Sequence, residues 1–141
     1  MVLGESSITK ATAKTKTKKQ KKALRNFREY DIWIDAMEIV DVVYKITDEF
    51  PTNERYSLTS QITRSAVSIP SNIAEGASRS SEKDFARFLE ISLGSSYELE
   101  TQLRIANTRN YVAVIEFELV LKNIISLQKR IHALRKKILN N

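Results

Sequence analysis

Ser68-Ile69-Pro70-Ser71-Asn72-Ile73-Ala74-Glu75-Gly76 is the stretch that decides the fold of this 141-residue chain. It places a proline and several small polar residues inside a segment whose apolar residues recur at the helical period. An interior proline removes a backbone donor and costs about 3 kcal/mol, so the surrounding helix must accommodate a kink. Because the apolar repeat continues on both sides of Pro70, the sequence predicts one bent helix.

This helix is predicted to begin near Asn53 or Glu54 and to end at Gly76, which suits a left-handed C-terminal cap. Three polar side chains beside the proline admit two interpretations: Ser68, Ser71 and Asn72. They satisfy backbone groups that the proline frees, or they present a polar patch at a subunit boundary or ligand groove. A kinked helix needs such partners in any case, which favours the first interpretation.

Two more amphipathic helices are predicted on either side of it. The first spans about residues 31–50 and is ended by Pro51, because the residue before a proline is pushed out of the helical region. The other starts after Ser81, which forms a capping box with Asp84, and stops at Asn110. Gly94 in its centre costs close to 1 kcal/mol relative to alanine, and we expect the gain to be close approach of a neighbouring helix.

A fourth helix is predicted over about residues 112–139. Its apolar residues alternate at spacings of four and three in an unbroken heptad seam: Ala113, Phe117, Val120, Ile124, Leu127, Ile131, Leu134 and Ile138. Four amphipathic helices with short connections predict an all-α, antiparallel up-down four-helix bundle. A second apolar row, Val114, Leu121 and Ile125, exceeds what one seam covers, so the sequence predicts self-association into a homo-oligomer.

The positive charge is concentrated at the start of the chain. The net charge is +6, yet residues 1–25 hold eight lysines and arginines against Glu5 alone, and the rest of the chain is nearly neutral. Residues 1–25 also carry almost no large apolar side chains, so we predict a disordered basic tail followed by a bundle domain over 26–141. The tail is either a solubilising segment or an arm for phosphate-rich partners.

The residues predicted to contact nucleic acid come from this tail and from a second cluster near the end of the fourth helix. They are Lys14, Lys16, Lys18, Lys19, Lys21, Lys22 and Arg25, followed by Lys129, Arg130, Arg135, Lys136 and Lys137. Cations near a helix C-terminus are also favoured by the helix dipole alone. The second cluster therefore has a structural interpretation beside the functional one.

No catalytic constellation is apparent, and the sequence predicts no enzyme, cofactor or metal. Cysteine is absent, and His132 is the single histidine, so neither a thiolate site nor a histidine pair can form within one chain. Inward glutamates are not accompanied by the Glu-x-x-His pairs of di-iron bundles. No apolar run reaches a membrane-spanning length, and no secretory leader is recognisable, so we expect a cytoplasmic protein without membrane contact.

Several strings resemble the bacterial four-helix-bundle family that includes proteins encoded in intervening sequences of 23S ribosomal RNA genes. The accessory variability proteins of diversity-generating retroelements are related to it. The matching strings are Asp31-Ile32-Trp33, Arg55 to Ile62, Arg64 to Gly76, Phe85 to Leu89 and Gly94 to Leu103. The proline-containing string is the most specific, and Ser68, Pro70, Ser71, Asn72, Glu75 and Gly76 are the structural residues of the motif.

The resemblance implies an antiparallel four-helix protomer assembled as a ring-like homopentamer, in contact with nucleic acid or a reverse transcriptase. The retroelement relatives carry a basic surface on the folded domain, whereas here the positive charge lies in the tail. We therefore expect a non-enzymatic accessory factor that associates with RNA, DNA or nucleoprotein. The alternative is an interaction scaffold that binds only protein, and the surplus apolar surface of the fourth helix favours it.

Overall fold

The computed structural model describes residues 24–141, and within them four helices follow one another without a strand. Helix α1 spans Asp31–Thr47, α2 Leu58–Ala77, α3 Glu82–Thr108 and α4 Val114–Leu139. Short 3-10 turns precede α1 at Phe27–Glu29 and α2 at Thr52–Glu54. The predicted four-helix bundle is confirmed. Of the predicted tail, residues 1–23 lie outside the described residues.

Each helix packs against two neighbours, so α1 to α4 surround one core. The closest packing joins α2 to α3, and the sparsest joins α1 to α4. The predicted seam of α4 supplies much of the core, since Phe117, Val120, Ile124, Leu127 and Ile131 are all buried. Two seam residues are exceptions: Leu134 is half-buried, and Ala113 is exposed as the N-cap because α4 starts one residue later.

The start and the stop of α3 both match the sequence prediction. The Ser81 hydroxyl accepts a hydrogen bond from the Asp84 amide at 3.0 Å, which caps α3 as predicted. Asn110 has a φ of 60°, so it adopts the left-handed conformation expected after α3. Both signals are local, which is why the sequence alone specifies them.

Other boundaries differ from the prediction. Helix α1 ends at Thr47, and irregular turns carry the chain to the buried Phe50. Helix α2 starts at Leu58 instead of Asn53 or Glu54, because residues 52–54 form a separate 3-10 turn. The Glu54 carboxylate then accepts a hydrogen bond from the Leu58 amide at 3.3 Å.

The prediction for Gly76 was wrong, and no helix of the described chain makes the close approach predicted at Gly94. No glycine among the described residues has a positive φ, and α2 continues through Gly76 to Ala77. Gly76 instead lies against α3, where an added Cβ would be 2.6 Å from the Phe88 Cβ. Gly94 is exposed, and an added Cβ there would meet no atom within 4 Å. The close helix approach is therefore made at Gly76.

Helix α2 continues through the buried Pro70 without a break, as predicted. The Asn72 side chain donates to the Ser68 carbonyl at 2.8 Å, and the Ser71 hydroxyl donates to the Val67 carbonyl at 2.8 Å. These are carbonyls of the turn that contains the proline. The carbonyl that loses its helical amide donor at Pro70 is that of Ala66, so these side-chain donors reinforce the turn but do not satisfy the freed group as predicted.

Candidate functional site

Arg25, the last residue assigned to the tail by sequence, is packed into the bundle. Its side chain is only 8% exposed, and its guanidinium lies 4.6 Å from the centre of the Phe85 ring. It donates to the carbonyls of Ala77 and Arg79 and forms an ion pair with Glu82. The guanidinium therefore bridges the end of α2 and the start of α3.

This contact fixes where residues 1–23 join the bundle. The join lies at the tail-proximal end, which we define as the start of α1, the end of α2, the start of α3 and the end of α4. Arg25 lines a groove there together with Ala133, Leu134 and Ile138 of α4. The segment with seven lysines thus precedes a residue held beside the last turns of α4.

The predicted nucleic-acid residues fall into three groups. Those from Lys14 to Lys22 lie outside the described residues. Lys129, Lys136 and Lys137 are exposed on α4, and within residues 24–141 none of them belongs to an ion pair. Arg25, Arg130 and Arg135 are instead bound to groups of the bundle itself.

Arg130 joins the two most loosely packed helices. Its Nη1 lies 2.9 Å from an Asp31 oxygen and 2.6 Å from an Asp35 oxygen. Partial burial disfavours its charge, but the hydrogen bonds to Asp31 and Asp35 outweigh it, so the pKa of Arg130 is raised. The Arg130 charge holds α4 against α1.

Arg135 binds α3 in a similar way. Its Nε donates to the Ala86 carbonyl at 3.3 Å, and its Nη2 lies 3.2 Å from a Glu90 oxygen. Within the second cluster, the three lysines are therefore the residues without an ion pair among the described residues. Sequence spacing does not distinguish them from the arginines, because the carboxylates come from other helices.

The motif residues beside Pro70 form a polar contact between α2 and α3. The hydroxyls of Ser68 and Ser95 are 2.8 Å apart, and Asn72 donates to the Ser68 hydroxyl at 2.9 Å. Glu75 is exposed and pairs with Arg79 one turn later, at 3.1 Å. The Ser92 hydroxyl donates to the Ile69 carbonyl at 2.9 Å in the core. Small serines thus allow close packing while satisfying buried polar groups.

Another buried polar contact was missed by sequence reasoning. Gln128 of α4 donates to a Glu100 oxygen at 3.0 Å, and Arg104 binds the same carboxylate at 2.9 Å. The hydrogen bond from Gln128 is the main cause that lowers the pKa of Glu100, against a smaller effect of burial. The neighbouring polar residues Tyr97, Glu98 and Thr101 of α3 are exposed.

Apolar side chains are exposed on α4, although Val114 is the one exposed member of the predicted surplus row. The most exposed are Val114, Ile115 and Leu119, at 63, 73 and 60%. Leu121 and Ile125 are half-buried and line a shallow groove beside Lys129. A monomer rarely leaves so much apolar surface in contact with water, so this face is a candidate interaction surface.

Chemically reactive groups are sparse in residues 24–141. His132 is exposed near the end of α4. The described part of the chain brings no three histidines, cysteines or carboxylates into a cluster that could hold a metal ion. None of its helices combines the length and apolarity needed to cross a membrane.

Comparison with known proteins supports the fold and shows the family of the chain. A search among curated proteins gave no match. A crystal structure of a protein of unknown function from the S23 ribosomal protein family of Bacteroides thetaiotaomicron aligns with a TM-score of 0.66 and 24% identity. The alignment covers 74% of this chain and 98% of that chain, and it shows a shared fold. The family described as 23S rRNA-intervening sequence protein matches residues 28–133, so the chain belongs to that family.

Proposed function

We propose that the chain is a non-enzymatic, homo-oligomeric accessory factor in the cytoplasm, which associates with nucleic acid or nucleoprotein through its tail-proximal end. The observation that carries this proposal is the position of Arg25. Its contacts with Phe85 and Glu82 hold Arg25 beside the end of α4, and the lysine-rich segment precedes Arg25 in the chain. Lysines from both parts of the sequence would then face one phosphate backbone.

Self-association increases the effect of weak contacts. Each copy contributes seven lysines from residues 1–23 and three exposed lysines of α4: Lys129, Lys136 and Lys137. Copies joined in one assembly bind a long nucleic acid at several points, so the second contact is effectively intramolecular. Such binding has little sequence preference, because lysine–phosphate contacts carry no base information. The family description, which refers to 23S rRNA, makes RNA the first polymer to test.

A gel-shift titration tests the proposal with a mixed-sequence RNA and a duplex DNA of equal length. We expect binding whose logarithmic affinity falls with the logarithm of salt by about 0.7–0.9 per phosphate contacted. Deleting residues 1–23, which leaves Arg25 in place, should remove most of that slope. The matched control replaces Lys129, Lys136 and Lys137 with glutamine and should reduce the slope by a smaller amount. Undiminished binding after the deletion would contradict the tail mechanism.

A protein-only scaffold is the second candidate, and the exposed apolar face of α4 supports it. Surface of this kind associates with other proteins through burial and is insensitive to phosphate. Pull-down of a protein partner after nuclease treatment, with no gel shift at low salt, would favour the scaffold. Loss of that partner after nuclease treatment would favour the nucleic-acid proposal.

A further inference from the structure

The outward face of α3 carries a stripe of apolar side chains, interspersed with charged ones, that residues 24–141 leave about half exposed. Ile91, Tyr97 and Ile105 are 41, 56 and 47% exposed, and Val67 of the adjacent α2 is 40% exposed. The α3 side chains recur at helical spacing around the exposed Gly94. The outward face of a bundle helix is normally polar, so this stripe indicates contact with a further helix.

Gly94 gives the stripe its shape. Glycine inside a helix lowers helix stability relative to alanine, and such a position needs a reason. Here a Cβ would meet no atom within 4 Å, and no described glycine has a positive φ. The missing side chain therefore serves neither packing nor backbone conformation within the described chain. It leaves a notch, the Gly94 notch, into which a second backbone can approach closely.

A symmetric contact between two α3 helices does not fit this notch. Antiparallel pairing around Gly94 places Glu90 of one copy opposite Glu98 of the other, four residues to either side. Both carboxylates are exposed, and only Glu90 has an ion-pair partner within residues 24–141, Arg135, so Glu98 would face a carboxylate with no cation of its own. A helix that fills the Gly94 notch must instead present apolar side chains to it and a cation to the neighbouring carboxylate.

The outward face of α4 has these properties. Val114, Ile115 and Leu119 are the most exposed apolar residues of that helix, and Glu118 and Lys122 lie on the same face. On the α3 side, Glu98 lies one turn beyond Gly94, and Arg64 projects from α2. Within residues 24–141 none of these four charged side chains belongs to an ion pair. Each surface thus has one cation and one anion available for the other.

We propose that the Gly94 notch receives the N-terminal half of α4 from a second copy of the chain. Ile115 and Leu119 cover the notch, Lys122 lies against Glu98, and Glu118 lies against Arg64. The contact joins different surfaces of the two copies, so it is head-to-tail and can close into a ring. The inference rests on the self-association in the proposed function and names the surfaces that carry it.

Cysteine cross-linking gives a direct test, because the chain contains no cysteine. Full-length Gly94→Cys and Ile115→Cys are mixed, allowed to exchange subunits and oxidised. We expect a cross-linked dimer in the mixture and much less from either variant alone. A dimer formed by Gly94→Cys alone would overturn the proposal in favour of a symmetric α3 contact.

Substitutions test the same contact by sedimentation velocity. Gly94→Leu fills the notch and should weaken assembly at least tenfold, whereas Lys83→Leu, on an exposed position of α3 away from the notch, should not. Glu98→Lys should also weaken assembly, and adding Lys122→Glu should restore it, which a folding defect would not allow. If the wild type assembles and Gly94→Leu assembles equally well, only this inference fails. A monomeric wild type overturns both the inference and the proposed self-association.

Discussion

Gly76 and Gly94 lie on opposite sides of α3, and their surroundings differ completely. A Cβ at Gly76 would lie 2.6 Å from the Phe88 Cβ, whereas a Cβ at Gly94 would meet nothing within 4 Å. On the inner side of α3 the chain supplies its own packing partner. On the outer side it leaves space beside exposed apolar residues. The comparison separates residues that build the protomer from residues available for contacts between molecules.

The largest expected effect contrasts the inside and the outside of α4. Ile124 is fully buried, so Ile124→Asp places an unpaired charge in the core and should cost more than about 4 kcal/mol, enough to unfold the domain. Ile115 is 73% exposed in the protomer, and at a concentration where the chains are monomeric the matched Ile115→Asp should change the free energy of unfolding by less than about 0.5 kcal/mol. Circular dichroism with urea titration measures both. A folded Ile124→Asp would show that the seam is not the core.

Much of this inner architecture follows from the sequence, because helix periodicity and caps are local signals. The heptad seam of α4, the Ser81 cap and the left-handed Asn110 are all present as predicted. The role of Gly76 could not be predicted, since it depends on how closely α3 approaches α2. The sequence pattern around a helical glycine is the same whether or not another helix packs against it.

The two glycines give the second prediction. Gly76→Ala forces the α2 and α3 backbones apart, and overpacking of about 1–3 kcal/mol exceeds the gain in helix propensity. Gly94→Ala meets no neighbour and should stabilise the protomer by about 1 kcal/mol. Urea unfolding of both variants checks the pair. It is measured at a protein concentration where each variant has the same oligomeric state as the wild type. Equal effects of the two substitutions would remove the distinction between the two sides of α3.

A smaller effect concerns the serines around Pro70. Ser92 is fully buried and its hydroxyl donates to the Ile69 carbonyl, so Ser92→Ala should cost about 1 kcal/mol. Ser71 is exposed and bonds only within its own helix, so Ser71→Ala should cost less than about 0.5 kcal/mol. Thermal unfolding distinguishes them. A larger loss at Ser71 would mean that the turn containing the proline depends on its own side chains more than on α3.

The candidate site was less accessible to sequence reasoning than the fold. Charge clustering correctly drew attention to the end of α4, but it could not separate Lys136 and Lys137 from Arg130, whose partners Asp31 and Asp35 lie on another helix. Arg25 was assigned to the tail because its neighbours are lysines. Its contacts with Phe85 and Glu82 are distant in sequence, so only the three-dimensional arrangement shows them.

The smallest expected effect depends on pH and concerns Glu100. This half-buried residue lies between the inner and outer sides of α3. The hydrogen bond from Gln128 holds the pKa of Glu100 below its ordinary value of 4.5, so its ionised form is favoured by folding. This stabilisation is complete above the ordinary value and disappears as the pH falls through the folded-state value. Glu100→Gln should therefore cost about 0.5 kcal/mol at neutral pH, because the carboxylate is partly exposed and screened.

At about pH 3, where the carboxyl group is losing its charge in both folded and unfolded chains, the difference between wild type and Glu100→Gln should shrink towards zero. Glu98→Gln is the matched control at a concentration where the chains are monomeric, since Glu98 is exposed on the outer side and has no ion pair within residues 24–141. Urea unfolding at both pH values measures the four combinations. Of these two residues, Glu100 is the one that bonds across to α4. If Glu98→Gln had as large an effect as Glu100→Gln at neutral pH, general charge repulsion and not the Gln128 contact would determine the pH dependence.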